Sequence, residues 1–276
     1  MPYLLVDTSY TIFFRYYATH TWYRFAHKDD KFEDDYDWID NKIFKEKFAD
    51  KYFESFEKII KKYKIPYENI IFIRDCPRES IWRTEMFEPY KANRDELYVT
   101  TGSKPFKGGP FFKYTYETII PDLITNLGCK TIKEDFLEAD DIISLTKKYL
   151  REKYPEEDII IVGSDCDLLQ ILDKKTTLID LKNKVLNTKS CGNPEIDLEL
   201  KVMCGDKSDN IPPFFPKCGE KTALKLIENR SLLGDKFKKD PNLITTYARN
   251  KILVDLNCIP EQLKITCNNK IKNLNL

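Results

Sequence analysis

Carboxylates stand close behind three apolar runs of this chain. Asp7 follows YLLV, Asp75 comes two residues after IIFI, and Asp165 and Asp167 follow DIIIVG. In open α/β sheets, ligands bind at the edge formed by the carboxyl ends of the strands, so we expect these acids to converge there. Asp165 and Asp167 are two residues apart, and in an extended segment their side chains would point the same way.

Two further groups of acids repeat the spacing of one helical turn. Glu138 and Asp141 are three residues apart at the predicted start of a helix, with Asp140 beside them, and Asp206 and Asp209 repeat that spacing in CGDKSDN. Any one of these acids is ordinarily a helix cap or a turn former. A converging set without partners would repel by about 1 kcal/mol per close pair even in high dielectric, so convergence indicates bound cations.

The ligand types narrow the choice of metal. A set made only of carboxylates, without histidine or cysteine, suits Mg²⁺ or Mn²⁺ better than zinc. Two such ions about 4 Å apart can activate a water and stabilise a leaving oxygen in phosphodiester cleavage. The only histidines, His20 and His27, lie away from these motifs, so the chemistry would not depend on an imidazole.

The elements that must position these acids have an α/β pattern. Four buried strands are predicted, at 3–6, 70–73, 158–163 and 176–181, in a largely parallel sheet. Predicted helices cover 43–63, 112–127, 138–152, 167–172, 195–204, 220–229 and 241–256. We therefore expect an α/β domain over 1–195 and a helical subdomain over 196–276. Residues 16–42 look like an insertion, and both they and residues 98–111, rich in glycine and proline, are predicted to be loops.

Composition excludes several classes. The chain has 276 residues, 45 basic and 45 acidic side chains and eight cysteines without a CxxC pair, which argues against a disulfide framework or a zinc site. It lacks an apolar run long enough for a membrane span and a secretory signal, so we expect an intracellular protein that is not secreted.

Charge is unevenly distributed along the chain. Residues 29–40 hold seven acids and one lysine, whereas residues 217–251 hold nine bases and four acids. This separation of acidic and basic stretches suits a phosphate-binding protein with an acidic centre. Alternatively, the charged stretches are ordinary solvent-exposed faces.

Six ordered motifs closely resemble the 5'-nuclease superfamily, in particular bacteriophage flap endonucleases and the 5'-nuclease domain of bacterial DNA polymerase I. They are VDTSY, EPYKANRDELY, LEADDIISL, VGSDCDLLQIL, CGDKSDNIP and GEKTALKLIE. RNKILVDL at 249–256 also resembles the C-terminal helix of that family. The resemblance implies a PIN-like catalytic domain, a C-terminal helix-hairpin-helix subdomain and two or more Mg²⁺ or Mn²⁺ ions.

The resemblance also implies roles for individual residues. The implied metal ligands are Asp7, Asp75, Glu138, Asp140, Asp141, Asp165, Asp167, Asp206 and Asp209, the last two at a second, more distant position. The implied catalytic set is Lys91 and Arg94, which would face the scissile phosphate, with Asp75, Asp140 and Asp165. The implied DNA-binding residues are Tyr90, Lys91, Arg94, Lys104, Lys107, Lys217, Gly219, Lys221 and Thr222. Tyr90 would either stack on a base, which needs an exposed ring, or be a packing aromatic.

Two stretches depart from the family pattern. The hairpin reads PFFPKCGEKTA and keeps only Gly219 of the usual glycines, so its geometry and a K⁺ ion there are in question. The arch or bridge region, 90–113, carries bases interleaved with aromatics, which suits a single strand.

These features predict a metal-dependent 5' to 3' exonuclease and flap endonuclease for DNA replication or repair. The expected protein is a monomer that acts on 5' ends or flaps, with any replication polymerase in trans. Removal of RNA primers from an RNA-DNA hybrid, or 5' exoribonuclease activity, fits the same metal centre. A non-catalytic DNA-binding factor is the alternative from another class, although all nine motif positions are acidic.

Overall fold

Five parallel strands form the centre of the protein, seen in a computed structural model that describes residues 1–32, 36–93 and 106–276. The strand order is β3-β2-β1-β4-β5. Their bounds are β1 Tyr3–Asp7, β2 Ile70–Arg74, β3 Lys130–Lys133, β4 Ile159–Val162 and β5 Thr176–Ile179. The predicted parallel α/β sheet is confirmed. β3 was not predicted, because KTIK has no apolar run and only its isoleucine is buried.

The order of the strands decides where the acids meet. β1 is central, with Leu5 opposite Ile71 of β2 on one side and Ile161 of β4 on the other. The chain passes from β1 to β2 in one direction and later to β4 in the other, so the connections diverge at the carboxyl end of β1. Asp7 is the last residue of that strand.

Helices cover both faces of the sheet. Those of the α/β part are α1 Thr8–Ala26, α2 Lys42–Tyr63, α3 Trp82–Met86, α4 Gly109–Tyr114, α5 Ile120–Leu127 and α6 Ala139–Lys153. A π-helical turn, Thr115–Ile119, joins α4 to α5. One apolar cluster joins the sheet to α1 and α2, and a second joins it to α6.

Two predicted loops are in part helical. Residues 16–26 continue α1, and their buried side chains Tyr16, Thr19 and Tyr23 fall at helical spacing, with both tyrosine rings packed on Phe44 of α2. The helical spacing of residues 16–26 was not recognised in the sequence, because exposed positions between the buried side chains are aromatic as well. In the glycine-rich stretch, α4 begins at Gly109 and its Phe111 is fully buried. Residues 94–105 lie outside the described part.

The C-terminal region is helical, as predicted. It comprises α7 Pro194–Cys204, α8 Glu220–Glu228, α9 Arg230–Lys239, α10 Asn242–Val254 and α11 Glu261–Asn273. Val202, Leu253 and Val254 form a cluster with Cys76 and Tyr90, so these helices border the carboxyl edge of the sheet. The boundary at 195 and 196 stays a prediction. None of the described helices combines the length and apolarity needed to cross a membrane.

Candidate metal centre

The acids that follow β1 and β2 are held by helix starts. Asp7 is the N-cap of α1 and accepts a hydrogen bond from the Tyr10 N–H at 3.0 Å. Asp75 accepts one from the Ala139 N–H at 2.8 Å, at the start of α6, and another from the Ser9 hydroxyl. Asp7 and Asp75 can therefore accept these hydrogen bonds at helix starts and still belong to the acidic centre, because a carboxylate has several acceptor positions.

The start of α6 brings three acids together. One carboxylate oxygen from each of Glu138, Asp140 and Asp141 lies within 4.8 Å of the others. Glu138 is the N-cap, and Asp141 completes a capping box with it. The positive end of the helix dipole favours negative charge at this position.

Burial and mutual repulsion disfavour the charged forms of these carboxylates. Burial, followed by Asp75, raises the pKa of Asp7 to about 8, and Asp165 adds to the shift. Burial also raises the pKa of Asp75, and it raises that of Asp140 well above the usual range, with Glu138 and Asp141 adding to it. Negative charge is therefore unfavourable here without cations. This oxygen-only donor set fits Mg²⁺ or Mn²⁺.

Two buried cations lie behind the acids. Arg83 is 1% exposed, and its guanidinium makes two bonds of 2.7 Å to Asp141 and one of 2.9 Å to Glu138. Lys91, 8% exposed, pairs with Glu138, and its Nζ lies 3.7 Å from Asp209. Burial opposes ionisation of Glu138, but Lys91 and Arg83 outweigh it and lower its pKa. Asp141 and Glu138 are thus tied to the protein's own cations.

Lys91 has an unusual backbone. Its φ is +56°, in the left-handed region, and its N–H donates to the Asp209 carbonyl at 2.9 Å. A residue other than glycine in this conformation costs about 1–2 kcal/mol, so surrounding contacts must hold it. They direct the ammonium group into the acidic centre.

Asp165 and Asp167 lie at the start of a helix, and both approach the Lys201 ammonium group. They begin a 3-10 helix, Cys166–Ile171, in which Asp165 is the N-cap and accepts from the Asp167 N–H at 2.8 Å. The predicted extended segment was wrong, because a helix begins here; Asp167 is buried and Asp165 is exposed. Burial, followed by Asp165, raises the pKa of Asp167 to about 7.

Lys201 of α7 joins these acids to the CGDKSDN turn. Its ammonium group pairs with Asp167, and it lies 2.7 Å from Asp206 and 3.9 Å from Asp165. Asp206 also accepts from the Ser208 N–H at 2.7 Å and so shapes the turn. Asp209, 5% exposed, faces Lys91 instead. The turn thus contacts Lys201 through Asp206 and Lys91 through Asp209.

Tyr90 is a packing aromatic in this structure. Its ring is 4% exposed, and its hydroxyl donates to Glu138 at 2.9 Å and lies 3.3 Å from Asp209. The stacking role required an exposed ring, which this burial does not provide. Arg94 and Lys104 lie outside the described residues, and Lys107 is exposed.

The hairpin turn forms without the usual glycines. Lys217 adopts φ +64°, and the Cys218 side chain is buried among apolar residues. Gly219 is the N-cap of α8, and Lys221 and Thr222 in the first turn of that helix are exposed. The start of this helix is therefore open to solvent, and an exposed helix N-terminus suits a phosphate.

Sequence reasoning missed four polar residues of the centre. Arg83 supplies a buried charge and Lys201 a partly buried one, and Ser9 links Asp75 to the Tyr116 hydroxyl, 3.2 Å away on the π-helical turn. Ser9 lies within the VDTSY motif, and Lys201 lies one helical turn before CGDKSDN, so the sequence offered a signal for these two. Arg83 and Tyr116 lie outside the six motifs.

Comparison with known proteins identifies the family. The family model described as 5'-3' exonuclease, N-terminal resolvase-like domain, matches residues 2–196. The 5'-3' exonuclease of Buchnera aphidicola subsp. Schizaphis graminum is 28% identical over 243 residues, covering 75% of this chain and 78% of that protein. The one from subsp. Baizongia pistaciae is 34% identical over 174 residues, covering 60% of this chain and 51% of that protein. DNA polymerase I of Lactococcus lactis is 29% identical over 187 residues, covering 64% of this chain and 20% of its own length.

Solved structures agree on the fold. The bacteriophage T5 D15 protein co-crystallised with metal ions has a TM-score of 0.68 at 19% identity, and T5 5'-exonuclease with bound zinc has 0.66 at 19%. Each comparison covers 99% of both chains. The resemblance found in the motifs is confirmed, and with it the expected enzyme class: this chain belongs to the 5'-3' exonuclease family of nucleases.

Proposed function

We propose that the chain hydrolyses phosphodiester bonds at 5' ends and 5' flaps of DNA with Mg²⁺ or Mn²⁺. The observation that carries this is the convergence of Asp7, Asp75, Asp140 and Asp165 at one edge of the sheet, where burial and repulsion raise the pKa of Asp7 and Asp140. Carboxylates that converge in such number need cations. The family match and the DNA-processing relatives support the reaction class.

Some residues of the centre would hold metal ions, and others would position the scissile phosphate. Asp7, Asp75, Asp140 and Asp165 would hold two ions, which when bound would activate a water and stabilise the leaving oxygen. Asp167, Asp206 and Asp209 would serve the second position. Glu138 and Asp141 would act through the buried network of Lys91 and Arg83.

Lys91 would neutralise charge that develops on the scissile phosphate. Its ammonium group is directed into the acidic centre by a strained backbone, and a preorganised cation in a water-poor site stabilises an oxyanion strongly. Arg94, three residues later, would assist it.

Duplex DNA would be held by the C-terminal helices. Lys217, Gly219, Lys221 and Thr222 lie at the start of α8, where amide groups and basic side chains would contact one phosphate stretch. A K⁺ ion at this hairpin is part of the proposal. Lys104 and Lys107 would contact single-stranded DNA.

Several finer expectations remain predictions. Action on RNA-DNA hybrids or RNA 5' ends uses the same centre and differs only in the strand recognised. Cooperation with a polymerase in trans, a monomeric state and an intracellular location also remain predictions.

The proposal is tested by single-turnover cleavage of an end-labelled double-flap DNA. Wild type and Asp165→Asn are compared with Mg²⁺, Mn²⁺ or EDTA, and binding is measured in Ca²⁺. We expect metal-dependent cutting near the flap base by wild type, with none by Asp165→Asn despite similar binding. Tight binding without cutting under any metal would favour the DNA-binding factor. Matched RNA 5' ends separate the two substrate classes.

A further inference from the structure

The last turn of α10 is tied to the acids at the start of α6. The final carbonyl groups of a helix have no partner within that helix and need one from elsewhere. The Leu253 carbonyl of α10 accepts a hydrogen bond from Arg83 Nε at 2.8 Å. The other nitrogens of the same guanidinium hold Glu138 and Asp141 at 2.7–2.9 Å. Arg83 therefore joins the end of one helix to the start of another.

The same turn is tied to the acids that follow β4. Gln170 belongs to the 3-10 helix Cys166–Ile171, of which Asp165 is the N-cap. Its Nε2 donates to the Val254 carbonyl at 3.0 Å, and its Oε1 accepts from the Leu256 N–H at 3.0 Å. Both ends of the amide are thus bound to the backbone around the end of α10, which fixes the 3-10 helix against it.

Asn250, one helical turn before the end of α10, reaches the CGDKSDN turn. Its side chain is 0% exposed, and Nδ2 donates to the Val202 carbonyl at 3.0 Å and to the Pro212 carbonyl at 2.8 Å. Val202 lies in the last turn of α7, just before CGDKSDN, and Pro212 lies just after it. Between them, the backbones of Asp206 and Ile211 pair at 2.7 and 2.9 Å. Asn250 therefore holds both ends of the turn together.

Three groups of carboxylates are thus attached to one short, buried stretch of backbone, residues 250–256, which lies within RNKILVDL. We propose that this stretch sets the spacing between the three groups, and that Asn250 and Gln170 are positioning residues for the metal ions. Both act through backbone groups of the segments that carry the acids. The inference rests on the proposed function, because it takes the acids to be metal ligands.

Strict metal geometry gives such positioning its effect. Mg²⁺ demands nearly octahedral ligands at about 2.0–2.1 Å, so small shifts of a carboxylate weaken binding. Residues that orient ligands from outside the ligand set typically contribute about 10–100-fold in metal affinity. Asn250 supports the turn of Asp206 and Asp209, which serves the second position. Gln170 supports Asp165 and Asp167, which are divided between the two positions.

The test measures binding of Mn²⁺ without DNA, with free Mn²⁺ followed by electron paramagnetic resonance. Gln170→Met and Asn250→Leu replace each amide with an apolar side chain of similar size, which removes the hydrogen bonds without opening a large cavity. The matched controls are Gln262→Met and Asn269→Leu, at two exposed positions of α11. Thermal unfolding in EDTA establishes which variants are folded.

We expect Asn250→Leu to weaken one Mn²⁺ ion by at least about tenfold and to leave the other unchanged. Gln170→Met should weaken both ions, and the two controls should bind as wild type. A purely structural role would lower the number of ions bound per chain, because part of the protein is unfolded, without changing the dissociation constants. Gln170 is only partly buried, so Gln170→Met carries the test if Asn250→Leu does not fold.

Unchanged dissociation constants in folded Gln170→Met would overturn the inference. Equal weakening of both ions by Asn250→Leu would overturn the assignment of Asn250 to the second position. A wild type that binds two Mn²⁺ ions but does not cut flap DNA would refute the proposed function alone, because the binding comparison uses no DNA. A wild type that binds no Mn²⁺ would refute both.

Discussion

The carboxylate of Asp75 accepts a hydrogen bond from the backbone N–H of Ala139 at 2.8 Å, across 64 residues of sequence. The acid that follows β2 thereby fixes the start of α6. Since Glu138, Asp140 and Asp141 lie at that start, one contact sets the distance between two parts of the acidic centre.

Replacing Lys91 with alanine should slow the chemical step. Its charge would act mainly on the transition state, so single-turnover cleavage should fall more than tenfold, with DNA binding in Ca²⁺ changed much less. Lys184→Ala, at an exposed turn, is the control. An unchanged rate in a folded Lys91→Ala protein would remove this role.

Neighbouring acids on α6 should respond in opposite ways. Asp141 is 0% exposed and makes two bonds to Arg83, so Asp141→Asn should destabilise the fold by about 3–5 kcal/mol. Asp140→Asn removes a repelled charge and should abolish cleavage without loss of stability. Urea unfolding and single-turnover rates measure both effects. A stable Asp141→Asn protein would show that the Arg83 pair is dispensable.

Asp7→Asn should stabilise the metal-free protein in a pH-dependent way. Because the pKa of Asp7 is raised to about 8, the folded state binds more protons than the unfolded state, and stability falls as pH rises from about 4 to about 8. Asparagine keeps the N-cap hydrogen bond and removes this loss of stability. The expected gain is on the order of 2 kcal/mol, because the pKa shift is shared with Asp75 and Asp165.

Thermal unfolding in EDTA at several pH values measures this effect. The gain from Asp7→Asn should be larger at pH 8 than at pH 5, and Mg²⁺ should stabilise wild type more than the variant. A gain independent of pH would contradict the electrostatic cause.

Lys201→Ala should make stability depend more strongly on metal. Without this partly buried ammonium group, Asp167 and Asp206 lose their counter-charge, which costs about 1–3 kcal/mol in EDTA. Added Mn²⁺ should recover more melting temperature in the variant than in wild type. Equal shifts in both proteins would place the ions away from Lys201.

Two glycines near the hairpin should separate folding from DNA binding. Gly205 has φ +70° and an added Cβ would lie 2.4 Å from the Ile211 carbonyl oxygen, so Gly205→Ala should destabilise the fold. An added Cβ at Gly219 would meet nothing within 4 Å. Gly219→Ala should fold normally and weaken duplex binding by blocking close approach of a phosphate. Unchanged duplex binding would remove the helix start from the interface.

The sequence by itself determined which strands carry the acids of the centre. Continuous apolar runs ending in Asp7, Asp75 and the Asp165 segment predict parallel strands whose carboxyl ends meet, and the sheet confirms it. The acids at the motif positions offer only oxygen donors, which indicated the metal class before any contact was known.

Only the tertiary structure decided how the charges are balanced. Arg83 and Lys91 enter the centre from one segment and Lys201 enters it from α7, far along the chain. No local pattern marks a basic residue that will pair with these acids. The burial of Tyr90 could not be predicted from a local pattern either, because its ring is buried by α7 and α10. Spacing along the chain specifies which faces residues share within one element, whereas burial and pairing depend on which elements pack together.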